Sequence, residues 1–444
     1  MPPFLCCVSF LRGPVGTHPL RPVESARTHV MSVTAQNKLL SFAEARQVAE
    51  KYADTLAPTE PELTNLLDAV GLVLAEDLLA DRDFPPFPRA TRDGYAVRAA
   101  DVQSVPAELC NVGSIKAGAS TDDSDVTVGA SECIEIMTGA PVPSAADAVV
   151  MIEYTTVSGD KVTVSRGVKA RENVVAAGAE ARRGDVMVRR GARLHHAAVA
   201  IAAAVGRPEL AVHRRPHVAV LATGDELVDI NLPPGPNEIR NSNTYSLAAQ
   251  VNEAGGEAML LPVARDEADE IALLLGKGLN ADLLLLTGGV SMGKYDLVEE
   301  VLASLGAEFF FTGVAIQPGK PVVFGQIKLD GKTTPFFGLP GNPVSTMVTF
   351  QLFVRPVLDA LGGSAPEPLP FAQAKLKQPL TTKTGLTRFL PARLGGMPEN
   401  PEVELVRWQG SGDLMAASRA NCYIVVPPDR DRFEKGEVIS ILLF

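Results

Sequence analysis

The chain is 444 residues long, enough for about two to four domains with buried cores. Hydrophobic residues make up 46% and charged residues 21%, the balance of a globular protein rather than a disordered or fibrous one. The net charge of -11 argues against a nucleic-acid-binding surface, which needs concentrated Lys and Arg. Any anionic ligand must be held locally, by backbone N–H groups, helix N-termini, a few cations or a metal.

In chain order, residues 1–35 read as an extension outside the folded domains, with Met31 as an alternative start. The opening MPPFLCCVSFLRGPVGTHPL has an apolar patch but no basic residue before it, so it makes a poor signal peptide. Cys6, Cys7, Cys110, Cys133 and Cys422 show no CxxC pair and no zinc spacing, and fit free thiols of a reducing, cytoplasmic setting. No apolar run approaches the ~18 residues of a membrane span. SFAEARQVAEKY opens with a capping box, Ser41 and Glu44, and predicts a helix. A second helical pattern, PELTNLLDAVGLVLAEDL, follows Thr59 as its N-cap. DFPPFPRATRDGYAVR is too proline-rich for a helix and reads as a structured loop. Residues 95–215 give short strands between glycine turns and a short helix, LHHAAVAIAAAVG.

From residue 216 the pattern changes. VAVLA, AMLLPVA, DLLLLT, PVVFG and PFFGL read as strands between the amphipathic helices SLAAQVNEAG, EADEIALLLGKG, DLVEEVLASLG and VSTMVTFQLFVRPVLDAL. This alternation predicts a doubly wound, largely parallel sheet. After a linker at 362–370, the remaining short strands suggest a small barrel or sandwich.

Ligands of open parallel sheets bind beyond the carboxyl ends of the strands. Three such ends are built alike. They are Thr223-Gly224-Asp225-Glu226, Thr287-Gly288-Gly289 with Ser291, and Pro340-Gly341-Asn342-Pro343 opening a helix. Glycine lets the backbone approach an anion, hydroxyls add donors, and Asn342 with Pro343 suits a helix start. Gly288 to Lys294 spell G-x-x-x-x-G-K, but Tyr295 replaces the Ser or Thr that a P-loop uses to ligate Mg²⁺. Asp225, Glu226, Asp266 and Asp296 fall at the same predicted edge, and carboxylates beside an anion site imply a cation between them, Mg²⁺ on oxygen ligands. Lys320 is the nearest fixed cation. His195 and His196 are neighbours and diverge on a helix, and no Ser/His/Asp or Cys/His arrangement emerges.

TRDGYAVR (91–98), IMTGAPVP (136–143), ATGDEL (222–227), TGGVSMGKYD (287–296), QPGKP (317–321), GLPGNPVS (338–345) and QGSGD (409–413) together resemble the MoeA-type molybdopterin molybdenumtransferases, the family of the gephyrin E domain. The resemblance implies a multidomain α/β plus β protein: domain I from 36–60 and 178–215, β-rich domain II at 61–177, a molybdopterin-binding α/β domain at 216–365, and a C-terminal β-barrel at 366–444. It implies a homodimer whose site is shared between subunits, with adenylylated molybdopterin and molybdate as substrates, AMP released, and Mg²⁺ present. Asp225, Glu226 and Asp296 would be the metal ligands. Asp93 and Thr138 resemble the partner subunit's contribution, and Glu226, Asp266 and Asp296 the functional acids. Pro340 and Pro343 shape the GLPGNP loop, and Lys320, Ser345 and Ser411 resemble residues lining the pterin and molybdate pockets. The adenylyltransferase that precedes this step and the molybdoenzymes that follow it are the implied partners. Gly313, Gln317, Leu386 and Arg92 depart from the usual pattern, which bears on anion affinity and on molybdate against tungstate. Two alternatives differ in class: a molybdopterin adenylyltransferase and a gephyrin-like scaffold without catalysis.

Overall fold

A six-stranded sheet organises the centre of the molecule, in the order Glu257–Leu260, His217–Ala222, Leu283–Thr287, Lys332–Leu339, Val323–Leu329, Glu308–Phe311. The computed structural model describes residues 39–119, 127–289 and 297–444. The first four strands run parallel; Val323–Leu329 turns back antiparallel to them, and Glu308–Phe311 pairs antiparallel with it. Along each central strand, alternate residues enter opposite cores, as a sheet covered on both faces requires. Val218, Val220, Leu283 and Leu285 pack with the helices Asn243–Glu253 and Pro343–Leu361. Ala219, Leu221, Leu284 and Leu286 pack with Ala268–Gly278 and Leu297–Ser304. The doubly wound expectation holds.

Helix Pro343–Leu361 corrects one expectation. It is 19 residues long and apolar enough to cross a membrane by length and composition, although no such run was expected from the sequence. It is a core helix, with 83% of its most apolar stretch buried. A π-helical turn, Phe350–Val354, interrupts it just before Pro356. Pro356 has no N–H to offer the Leu352 carbonyl, and the Arg46 guanidinium donates to that oxygen at 2.7 Å instead. Arg46 comes from the helix Phe42–Ala53, which carries the expected Ser41–Glu44 capping box. Ala45, Ala49 and Ala53 of that helix enter the core of the α/β sheet.

The helix expected over residues 61–78 is not there. Pro61–Asn65 is a strand, paired antiparallel with Glu209–His213. Thr59 caps no helix: its hydroxyl donates to the Arg214 carbonyl at 2.7 Å. The apolar spacing was helical, but strand pairing with a distant segment satisfied the backbone better than local helix bonds, and such tertiary context overrides weak local preference. Residues 61–79 therefore pack with residues 186–213.

The β-rich region holds a second six-stranded sheet in which Gly94–Val97 lies between Ala148–Met151 and Glu132–Ile136. Gly94 is required there, since a Cβ would meet the Val150 carbonyl oxygen at 1.9 Å. At the C-terminus, Thr387–Met397 pairs with both Asn400–Leu405 and Cys422–Val426, and Phe371–Leu376 and Val438–Leu443 complete a closed five-stranded barrel.

Two ion-pair sets tie the N-terminal strands to the α/β domain. Arg193 and Arg355 both bond the buried Asp359 carboxylate at 2.9 Å. Arg214 makes a bidentate pair with Asp282 at 2.7 and 3.0 Å. Burial raises the Asp282 pKa, but Arg214 and the His217 N–H outweigh it and leave the carboxyl below its ordinary value. A depressed carboxylate stabilises the fold above its unfolded pKa and loses that stabilisation as pH falls through the folded value. Asp282→Asn should cost about 1–3 kcal/mol at pH 7, with the deficit shrinking below about pH 4. Denaturant unfolding at pH 7 and pH 3 checks both parts.

Candidate active site

The parallel register sets the site. Ala222 lies opposite Thr287, and Thr287 opposite Leu339, so the turns that begin at Thr223, Gly288 and Pro340 leave the sheet at one level. Thr223 also bridges Ala264 in parallel, which brings Asp266 to the same edge. Thr223, Gly224, Glu226, Asp266, Gly288, Gly289, Pro340, Gly341, Asn342 and Pro343 line one cavity of about 1130 Å³, the size of a small-molecule site.

Local bonds hold the turns close together. The Thr223 N–H donates to the Thr287 carbonyl at 3.0 Å, and the Gly224 N–H to Ala264 at 3.1 Å. Gly288, at φ +89°, crosses so near Thr223 that a Cβ would meet its carbonyl oxygen at 2.3 Å. Gly289 would bring a Cβ to 2.7 Å from Thr223 Oγ1, a hydroxyl that is buried and has no hydrogen-bond partner among the described residues. Its conformation and its crowding both require glycine.

Asn342 and Pro343 take the cap and first positions of their helix, as the sequence suggests, but the Asn342 side chain makes no capping bond. The Val344 N–H is already taken by the Ser411 carbonyl at 2.9 Å. The QGSGD loop thus sits on the helix start, and Gly412 reaches the cavity wall. Ser345 is 3% exposed inside the helix. Lys320 is half-buried, its carbonyl accepting from the Val314 N–H. Neither Ser345, Lys320 nor Ser411 is itself among the wall residues, although Pro321 is. Ser291 and Asp296 lie outside the described residues, as do Lys294 and Tyr295 of the P-loop comparison.

Asp225, Glu226 and Asp266 form an acidic rim. Asp225 Oδ1 accepts from the Asp266 N–H at 3.2 Å. Burial, then the charges of Asp225 and Glu226, raise the Asp266 pKa. A carboxylate destabilised in this way gains most from a counter-cation. Among the described residues, no group of three or more acids, histidines and cysteines is arranged to hold a metal; Asp296 stands outside that test. Ser242, Ile239, Arg240 and Glu300 also line the cavity and were missed in the sequence. The INLPPGPNEIRNSN segment matches none of the sequence motifs that carry ligand chemistry.

Asp93 and Thr138 are joined elsewhere. Both the N–H and the hydroxyl of Thr138 donate to Asp93 Oδ1, at 2.6 and 2.8 Å. These bonds, the backbone one first, lower the Asp93 pKa. Both residues are exposed on the β-rich sheet, and neither lines the cavity of its own chain. A second cavity of about 620 Å³, walled by Met415, Tyr423 and Phe444, includes none of the strand-end turns. Of the departures from the family pattern, Gly313 faces Leu39, whose side chain would meet a Cβ at 2.7 Å. Two residues beyond Leu386, Arg388 is 7% exposed and donates to the Lys383 carbonyl at 2.9 Å.

The chain matches family models for the MoeA N-terminal region (domain I and II) over residues 40–206, a probable molybdopterin binding domain over 219–360, and the MoeA C-terminal region (domain IV) over 373–444. It is 33% identical over 389 residues to a molybdopterin molybdenumtransferase of Staphylococcus aureus (strain COL), covering 86% of this chain and 91% of that one. A Staphylococcus epidermidis relative (strain ATCC 12228 / FDA PCI 1200) of the same name is 33% identical over 384 residues, with 85% and 90% covered. The crystal structure of the molybdopterin biosynthesis MoeA protein from Pyrococcus horikoshii OT3 superposes with a TM-score of 0.74 at 30% identity, over 92% of this chain and 100% of that chain.

Thr138→Val removes the hydroxyl donor and keeps the backbone one. The Asp93 carboxyl should then titrate at higher pH than in the unaltered protein, seen by NMR titration of its side-chain carbon; an unchanged midpoint means the hydroxyl does not stabilise the carboxylate.

Proposed function

The chain belongs to the MoeA family, and on that premise we propose that it is a transferase of molybdenum cofactor biosynthesis that inserts molybdate into adenylylated molybdopterin and releases AMP. The observation that carries the reading is the common level of the Thr223, Gly288 and Pro340 turns around one cavity. Both substrates present oxyanions: phosphates in one, a tetrahedral metal oxyanion in the other. Glycine-rich turns suit both, because they bring neutral amide donors close without demanding many cations. Such donors let a chain of charge -11 bind anions.

Oxygen-only donors at an acidic rim fit a hard divalent ion. Asp225 and Glu226, with Asp296, would hold magnesium, and Asp266 beside them would keep the rim negative. Magnesium when bound supplies neutralisation of the phosphoanhydride charge. The chain's own residues bind and orient: Thr223, Gly224, Gly288, Gly289 and Gly341 shape the floor, while Lys320, Ser345 and Ser411, on the PGKP, GLPGNPVS and QGSGD segments, neighbour the wall residues Pro321, Pro343 and Gly412 in sequence. Water or a molybdate oxygen is the attacking group, so no protein nucleophile is required.

Asp93 and Thr138 complete the reading as the contribution of a second copy in a homodimer. Their exposed, hydrogen-bonded face, absent from their own chain's cavity, supports that arrangement. The cytoplasm, suggested by cysteines without disulfides at Cys110, Cys133 and Cys422, is the setting in which the adenylyltransferase and the molybdoenzymes would be met. An adenylyltransferase activity is not favoured, because the family matches extend through the N- and C-terminal regions as well as the central domain.

Purified protein should release AMP from adenylylated molybdopterin only when molybdate and magnesium are both present; formation of adenylylated pterin from ATP instead would overturn the assignment. The raised Asp266 pKa means that its carboxylate is lost at a higher pH than an ordinary aspartate's. If that charge supports turnover, activity falls on the acid side through the Asp266 pKa, and Asp266→Asn lowers kcat about ten- to hundredfold while removing that acid limb from the pH profile.

A further inference from the structure

Asn243 opens the helix Asn243–Glu253, yet its side chain bonds far along the chain. Nδ2 donates to the Gly341 carbonyl at 2.7 Å and to Thr287 Oγ1 at 3.0 Å. A carbonyl can only accept, so the amide orientation is fixed: nitrogen towards Gly341, oxygen away. Asn243 Oδ1 is indeed buried and without a partner among the described residues. A single amide group therefore clamps the ends of two parallel strands, 283–287 and 332–339.

The clamp has a consequence for the peptide it holds. C=O and N–H point to opposite sides of a planar trans peptide. With the Gly341 carbonyl drawn to Asn243, the Asn342 N–H is turned the other way, and it has no acceptor among the described residues. Gly341 and Asn342 both line the cavity. Glycine before the peptide and asparagine after it are the residue types that tolerate a peptide flip. A flipped unit would place a carbonyl oxygen where the N–H stood, turning attraction for an anion into repulsion.

We propose that Asn243 is a positioning residue that locks the Gly341–Asn342 peptide with its N–H facing the cavity, so that this amide and the Thr223 hydroxyl bind a tetrahedral oxyanion of the ligand. The proposal rests on the anion-binding reading above. An independent observation points to the same ligand class: Thr223 is 2% exposed, lines the same cavity, and its Oγ1 beneath Gly289 has no partner among the described residues. Two neutral donors are thereby held ready in a cavity whose far rim is acidic.

The test is calorimetric binding of inorganic pyrophosphate and of AMP to the full chain, unaltered and as Asn243→Ala, with Asn243→Leu as the volume-matched variant should the alanine form not fold. Thermal unfolding is recorded alongside. Loss of the amide should weaken both probes about tenfold or more, and raise KM for the adenylylated substrate more than it lowers kcat. Unchanged affinity in a folded variant, whatever its melting temperature, overturns the positioning role. If the unaltered chain binds neither probe, the anion-site reading itself has failed, and that outcome is distinct.

Discussion

Parallel strand register is the constraint on which the rest of this protein depends. Ala222, Thr287 and Leu339 face one another across three neighbouring strands, and a one-residue slip would send every side chain of a strand to the opposite face. Here both faces are buried, by two separate cores, so register is held from both sides. Three unrelated stretches of sequence are thereby made to turn at one level. No single turn is specific; their alignment produces the cavity.

Charge is divided within that cavity according to chemistry. Hydroxyls and peptide N–H groups lie over the strand ends, where Gly288 and Gly289 permit contact no other residue would allow. Carboxylates gather at the side nearest strand 257–260, where the charges of Asp225 and Glu226 raise the cost of ionising Asp266. Two regions of opposite character in one cavity suit a ligand that arrives with a cation. The partly buried ion pairs Arg193–Asp359 and Arg214–Asp282 work at a different scale, fixing the N-terminal strands against the α/β domain.

Much of this was legible in the sequence because it is local. Apolar runs of strand length between amphipathic helices specified the central sheet, and the Ser41–Glu44 box specified the first helix. Turn chemistry placed Thr223, Gly288 and Pro340 correctly at strand ends. What failed was non-local. PELTNLLDAVGLV has helical spacing, but its first residues pair with Glu209–His213, and nothing in residues 61–73 encodes a partner about 150 residues away. Pro343–Leu361 was legible as a helix; its average apolarity was not, because Ser345, Thr346, Thr349, Gln351, Arg355 and Asp359 break the apolar run. Asn243 carried no signal in the sequence; its clamp on Gly341 exists only once the strands are side by side.

The central claim is that backbone turns on a common edge, and not a cluster of basic side chains, hold the anions. A crystal grown with AMP and molybdate, with molybdenum located by anomalous scattering, tests it most directly. The account predicts both anions inside the cavity bounded by residues 223–226, 287–289 and 340–343, with oxyanion atoms within hydrogen-bonding distance of backbone N–H groups. Anions seated on surface arginines, or in the apolar cavity beside Tyr423 and Phe444, would contradict it.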